Sequence, residues 1–239
     1  MTTNSEFEYD LGVVGLGYVG LPLAVEASIQ GLSVIGYDIN SERVEMINNG
    51  ISPIEDISND ELSNALEKFF STLDGKLLSK CQNIVISVPT PLTDYQPDLS
   101  YVISAAKTVG NNLVKNQVVI LESTTYPGTT IEVLIPNLES TSKLKAGEDF
   151  FVGYSPERID PGNKVWKFKN TPKVISGIND ISTDKIQSFY ESIIENTVLV
   201  KGTKEAEMVK LLENTYRHVN IALINELAML CKMLDIDIW

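Results

Sequence analysis

Histidine and cysteine are nearly missing from this chain: one histidine, His218, and two cysteines, Cys81 and Cys231, in 239 residues. A single histidine excludes a histidine-built metal centre, and two cysteines give neither a disulfide framework nor a metal-ligand spacing. Each cysteine sits in an apolar run, where it is usually a small buried hydrophobe. Positive charge is scarce too. Against 32 Asp and Glu stand 19 Lys and Arg, a formal net charge of −13. That surface repels phosphodiester backbones and anionic lipid, so neither nucleic acid nor membrane is expected as a partner. Any phosphate bound here must be held by local dipoles and a few placed cations. The opening MTTNSEFEYD lacks a basic stretch followed by an apolar one, so no secretory signal is expected. No apolar run approaches the length that crosses a bilayer. A cytoplasmic protein is the expectation.

Apolar residues, at 43%, are ample for a packed core, and charged residues, at 21%, are ordinary. Short β-branched runs alternate with longer helical patterns. Strands are expected at 11–15, 33–38, 83–89, 117–122, 150–154, 173–176 and 197–200. Most of these are continuous apolar runs, as a sheet covered on both faces requires. A helix at 20–30 is closed by Gly31, which suits a left-handed cap. Another follows Ser58, where Ser58 and Glu61 form a capping box. A third begins near Ser100 and a fourth spans 183–195. The alternation predicts an α/β fold with a doubly wound, mostly parallel sheet.

The last stretch differs. From 205 to 234 nothing breaks a helix, and Met208, Leu211, Leu212, Thr215, Val219, Ala222, Leu223, Leu227 and Leu230 recur at helical spacing. A helix longer than the usual ~8–20 residues normally bridges domains or packs in a dimer. The chain then stops at Trp239 with neither a cap nor a turn expected.

Gly15-Leu16-Gly17-Tyr18-Val19-Gly20 is a G-x-G-x-x-G that follows an apolar strand and opens a helix. In that context it reads as a Rossmann-like dinucleotide fingerprint. Gly15 permits the tight turn, Gly17 the close approach of a pyrophosphate, and Gly20 the packing of helix on strand. Asp38 ends the second strand, where a carboxylate bonds ribose hydroxyls and repels a 2′-phosphate, favouring NAD over NADP. Arg43 stands either beside the adenine or exposed on a helix. The plainer reading of the whole segment is a glycine turn and a surface aspartate.

Four further segments follow in order: Val88-Pro89-Thr90-Pro91, the run Glu122 to Thr130 (ESTTYPGTT), Ser155 to Gly162 (SPERIDPG), and Lys210-Leu211-Leu212-Glu213-Asn214. With the fingerprint, they resemble the UDP-glucose/UDP-N-acetylhexosamine 6-dehydrogenase family over nearly the whole chain. The resemblance implies oxidation of the C6 alcohol of a UDP-sugar to a carboxylate with two NAD, through a cysteine thioester that water hydrolyses. It makes Thr90 and Ser123 nicotinamide-side contacts, and Thr124 a holder of the hydrolytic water beside the cofactor. Glu157 becomes the base or water activator. Lys210 and Asn214, four apart on one helix face, become donors to the oxygen that turns negative at C6. The plainer readings are strand-end capping for Thr90 and Ser123, an exposed loop glutamate for Glu157, and a solvated helical lysine for Lys210.

Two departures qualify the resemblance. Pro161 stands where the UDP-glucose branch carries a second glutamate, so the branch acting on UDP-N-acetylglucosamine or UDP-N-acetylmannosamine fits better. The family's nucleophilic cysteine, in a G-G-H-C-type loop, and its UDP-binding C-terminal domain have no counterpart here. A dinucleotide domain at 1–202 and the start of a central dimerisation domain at 203–239 are therefore expected, from a longer enzyme and inactive alone. The partners implied are a UDP-sugar and a second copy joined through the long helix. UDP-glucose dehydrogenase, a β-hydroxyacid-type dehydrogenase with one hydride transfer, and a non-catalytic NAD-binding fragment remain as alternatives.

Overall fold

The computed structural model describes residues 6–94, 96–158 and 169–239. In chain order the elements are β1 (Tyr9–Val14), α1 (Gly20–Ile29), β2 (Val34–Tyr37), α2 (Ser41–Asn48), α3 (Asn59–Ala65), β3 (Phe69–Thr72) and β4 (Cys81–Ile86). A short hairpin of β5 (Leu92–Thr93) and β6 (Gln96–Pro97) precedes α4 (Ser100–Asn112) and β7 (Val118–Leu121). Then come α5 (Ile135–Ser142), β8 (Phe151–Tyr154), β9 (Lys173–Gly177), α6 (Asp180–Glu191), β10 (Thr197–Leu199) and α7 (Thr203–Met233).

Eight strands form one sheet in the order β10-β9-β8-β7-β4-β1-β2-β3. Neighbours run parallel except β8 and β9, which are antiparallel. Alternate strand residues feed two cores, one per face. Leu11, Val13, Val85, Ile120 and Ile175 pack with α1, α3 and α6. Val14, Ile84, Ile86, Leu121 and Val152 pack with α4 and α5. Burial on both faces is why the strands read as continuous apolar runs. The strand order reverses between β1 and β4, which leaves a crevice beyond their carboxyl ends, the usual place for a ligand in such sheets.

The doubly wound fold, the cap at Gly31 (φ +99°) and the Ser58–Glu61 capping box match the sequence reading. Helix α2, strand β3 and the β5–β6 hairpin do not appear in it. In α2 the sequence reading misses a helix whose buried residues are only Val44 and Ile47, too few for a periodic signal. Strand β3 is four residues long and lies in a polar context. Beyond the Pro127-Gly128 turn the chain does become helical, and Pro136 falls at the start of α5, where proline is tolerated. The two-residue strands of the β5–β6 hairpin carry no signal at all. The fourth expected helix starts earlier, at Asp180, because the Asn179 side chain caps Ser182 N. The long helix is also capped after all. Asp235 adopts a left-handed conformation (φ +56°), and Ile236 N donates to Cys231 O at 2.9 Å. Aspartate does there what glycine more often does.

Candidate functional site

The glycine loop leaves β1 at Gly15, which has φ +93°. A Cβ on Gly15 would lie 2.8 Å from Ser87 O, and one on Gly20 1.9 Å from Gly15 O. Both positions therefore exclude any side chain. Gly17 is the opposite case, since a Cβ there would meet nothing within 4 Å. Its missing side chain faces open space, the space a close-approaching pyrophosphate needs. Helix α1 starts just beyond with no side-chain cap. Leu21 N already donates to Gly17 O and Pro22 has no N–H, so what the helix offers an anion is chiefly its positive dipole end.

Asp38, buried at the end of β2, binds this loop directly. Its Oδ2 accepts from Leu16 N at 2.8 Å and from Arg43 Nη1 at 2.9 Å, and its Oδ1 accepts from Asn40 N at 2.9 Å. The two readings of Arg43 thus resolve to a half-exposed side chain that pairs with Asp38 beside the cleft. A cavity of about 610 Å³ opens here, within the range of small-molecule sites. Gly15, Gly17, Tyr18, Val19, Asp38 and Arg43 line it, with Tyr101, Ser104 and Thr108 of α4 opposite. Gly20 packs beneath it. The open face at Gly17, the uncapped helix and the carboxylate at the strand end all fit a dinucleotide without a 2′-phosphate.

Thr90, Ser123 and Thr124 lie beyond that lining, on the loops after β4 and β7. Ser123 Oγ donates to Val88 O at 2.8 Å and Thr90 Oγ1 donates to Thr124 O at 2.7 Å. Both hydroxyls thus tie one loop to the other, as the capping interpretation has it, and each oxygen keeps lone pairs for a ligand. Thr124 itself is exposed.

Glu157 is not an exposed loop residue. It is buried just after β8, with Lys173 Nζ 3.6 Å from its Oε2. Lys173 opens β9 and stands 2.7 Å from Glu122 Oε1 at the end of β7, which also accepts from the Tyr190 hydroxyl of α6. The other oxygen, Glu122 Oε2, has no hydrogen-bond partner among the described residues. Burial opposes the Lys173 ammonium, but the carboxylates of Glu122 and Glu157 outweigh it and its pKa rises. Burial, seconded by the Glu157 charge, pushes Glu122 up against the pull of Lys173 and Tyr190. Burial and Glu122 together push the Tyr190 phenol well up. Sequence reasoning missed Glu122, Lys173 and Tyr190 as a unit. The available signal was a glutamate and a lysine closing apolar strands, where a charge needs a partner. Of the SPERIDPG segment, residues 159–162 lie outside the described residues.

Helix α7 carries Lys210 and Asn214, both half-buried on one face. Burial pulls the Lys210 ammonium below the ordinary lysine range, against the raising effect of Glu157 and Glu213, so Lys210 and Glu157 share one electrostatic neighbourhood. Arg158 beside Glu157 forks onto Glu213 Oε1 at 2.7 and 3.0 Å. The helix is fastened by its first turns, where Thr203, Ala206 and Glu207 are its buried residues. Glu207, missed in the sequence, accepts from Gly128 N (2.5 Å), Thr130 N (2.8 Å) and Thr130 Oγ1 (2.7 Å). It thereby caps the helical turn that leads into α5 and joins α7 to the loop bearing Thr124. Beyond that point apolar residues stand in solvent, Leu212 60% and Tyr216 71% exposed among them. Cys81 is buried at the opposite end of β4, where burial pushes its thiol up to about 12. Cys231 lies 17 residues past Asn214 on α7, on the order of 25 Å along the axis. No helix among the described residues is long and apolar enough to cross a membrane.

Known proteins match this arrangement along the chain. Residues 9–198 match the UDP-glucose/GDP-mannose dehydrogenase family, NAD binding domain, and residues 204–239 its central domain. The chain is 44% identical over 229 residues to the UDP-N-acetyl-D-glucosamine 6-dehydrogenase of Pseudomonas aeruginosa, covering 95% of this chain and 54% of that protein. Among solved structures, the UDP-D-ManNAc dehydrogenase of Pyrococcus horikoshii superposes with a TM-score of 0.89 at 38% identity, over 94% of this chain and 54% of that one. The GDP-mannose dehydrogenase of Pseudomonas aeruginosa in a ternary complex also reaches 0.89, at 28% identity, over 95% of this chain and 54% of that one. The chain spans about half the length of the curated relatives it matches. It belongs to the UDP-glucose/GDP-mannose dehydrogenase family and carries that family's NAD binding domain.

Proposed function

We propose that this chain is the cofactor-binding and base-bearing part of an NAD-dependent UDP-N-acetylhexosamine 6-dehydrogenase. Such an enzyme oxidises the C6 alcohol of UDP-N-acetylglucosamine or UDP-N-acetylmannosamine to the uronate for polysaccharide precursor synthesis. The observation that carries the reading is the buried Glu157, paired with Lys173 and sharing its surroundings with Lys210 on α7. Relatives named for these two substrates, at 44% and 35% identity, support the choice of sugar.

NAD, when bound, would supply the hydride acceptor. Gly15, Gly17, Tyr18, Val19 and the start of α1 would hold its pyrophosphate, with Gly20 letting the helix pack close. Asp38 would take the ribose hydroxyls, Arg43 flanking it, and Thr90, Ser123 and Thr124 would border the nicotinamide end. Glu157 would accept the proton from the C6 hydroxyl or from an attacking water that Thr124 helps to place. Lys210 and Asn214 would donate to the oxygen as it becomes negative, which a low-dielectric setting makes worth several kcal/mol. The thioester chemistry of such an oxidation needs a thiolate near Glu157, and neither Cys81 nor Cys231 is placed to supply it. We therefore assign no complete turnover to these residues alone.

The same reading puts the cofactor domain at 1–202 and a central dimerisation domain from 203, supported by the start of α7 at Thr203. It makes the exposed apolar stripe of α7 the seam with a second copy, and places the reaction in the cytoplasm, where an acidic, cysteine-poor NAD enzyme fits.

The test compares two proteins with each UDP-sugar and NAD: this chain alone, and this chain fused to the second half of the Pseudomonas aeruginosa relative. The chain alone should produce no uronate. The fusion should yield two NADH per UDP-N-acetylhexosamine and lose activity with Glu157→Gln. One NADH per sugar would favour the β-hydroxyacid type of reaction, and a preference for UDP-glucose would move the chain to the other branch.

A further inference from the structure

Glu157 follows β8, the strand between β7 and β9, and each flanking strand contributes one charged group to a buried cluster. Lys173, from β9, is the shared element. Its ammonium lies 2.7 Å from Glu122 and 3.6 Å from Glu157, and 5.3 Å from the centre of the Tyr190 ring. Tyr190 in turn donates to the same Glu122 oxygen that Lys173 holds. The lysine is thus fixed from two sides, by a carboxylate and by an aromatic face, and its position does not depend on a ligand.

The groups facing Glu157 come from several elements: Glu122 from β7, Lys173 from β9, Tyr190 from α6 and Lys210 from α7. Lys210 is half-buried and sits on the face that would meet substrate. Lys173 is at the back, with only 5% of its side chain exposed.

We propose that Lys173 is the positioning residue of Glu157: anchored on Glu122 and Tyr190, its ammonium holds the Glu157 carboxylate in place and sets how readily it takes a proton. This rests on the reading of Glu157 as the base. It goes further in giving Glu122 a role opposite in sign to that of Lys173, since Glu122 competes for the ammonium and repels the Glu157 charge.

The opposed signs make the test. The chain is labelled with ¹³C at the glutamate carboxyl carbons, the Glu157 signal is assigned with Glu157→Gln, and its titration is followed by NMR. An opposite charge at this range moves a carboxyl by about one to three pH units. Lys173→Met should therefore raise the Glu157 midpoint by about one unit or more, a tenfold or greater gain in proton affinity. Glu122→Gln should lower it, and Lys173→Arg should lie nearer wild type than Lys173→Met does. If Lys173→Met does not fold, Lys173→Gln takes its place, because Glu122→Gln lowers the midpoint through lost repulsion whatever Lys173 does. A Glu157 midpoint that stays put or falls when Lys173 loses its charge overturns the proposal. Because no substrate or cofactor enters the measurement, its failure is distinct from that of the proposed reaction, which the activity of Glu157→Gln in the fusion tests. A confirmed charge coupling around a Glu157 that proves dispensable would defeat the reaction assignment and leave the electrostatic role of Lys173 standing.

Discussion

Asp38 reaches Leu16 across 22 residues of chain and Arg43 across five, whereas Glu122 reaches Tyr190 across 68 and Glu207 reaches Gly128 across 79. The cofactor cleft is assembled largely from one βαβ unit and closed by bonds within it. The Glu157 cluster is assembled from β7, β8, β9, α6 and α7, and exists only once the far half of the sheet is ordered. The first region should therefore keep its ligand when the second is damaged. The second should be sensitive to changes at positions that no short motif marks.

Gly20→Ala should break this comparison most violently, because the new Cβ would meet backbone oxygen at 1.9 Å. A loss of about 3 kcal/mol in urea unfolding is expected, and NAD binding should go with it. Glu207→Ala should be next. It leaves the Gly128 and Thr130 amides without their acceptor in a buried place, at a cost of about 2 kcal/mol. Hydrogen exchange should then rise along α7 and the loop at 124–130, while NAD affinity, set mainly at the Gly15–Arg43 cleft, falls far less than in Gly20→Ala. An equal loss of NAD binding would show that the two regions are not independent.

Gly17→Ala sharpens the contrast from the other side. Its Cβ enters open space, so stability should change by no more than about 0.5 kcal/mol, yet NAD affinity should fall about tenfold or more, equivalent to about 1.4 kcal/mol. The smallest effect concerns Cys81, outside both regions. Burial raises its pKa from 9.0 to about 12, so its contribution to stability is whole below pH 9 and is lost as pH rises from there toward 12. Between about pH 8 and about pH 10 the wild type should lose about 1 kcal/mol more than Cys81→Ala does. Equal slopes would mean that the thiol is not held in the core.

The same division decides what the sequence discloses. The glycine loop, Asp38 and the strand before them are legible because consecutive residues carry both the turn and the chemistry. Lys210 and Asn214 are legible only by resemblance, since a helical lysine and asparagine four apart have many uses. Glu122, Lys173 and Tyr190 are not legible as a group. Their meeting depends on β9 pairing antiparallel with β8, and hence on strand order, which periodicity does not encode. Glu207 is hidden for a related reason: on a helix that also carries Glu205, Glu213 and Glu226, nothing local marks the one that turns inward. The missed α2 and β3 are short elements shaped by packing against neighbours more than by their own pattern.

The most direct test of the account is calorimetry of NAD and NADP binding to this chain, with wild type and Asp38→Ala compared. The wild type should bind NAD, Asp38→Ala should weaken that binding by about tenfold or more, and NADP should bind more weakly than NAD. A cooperatively folded chain that binds no NAD, or binds both dinucleotides equally with or without Asp38, would contradict the claim that the cleft between Gly15 and Arg43 is a working and self-contained cofactor site.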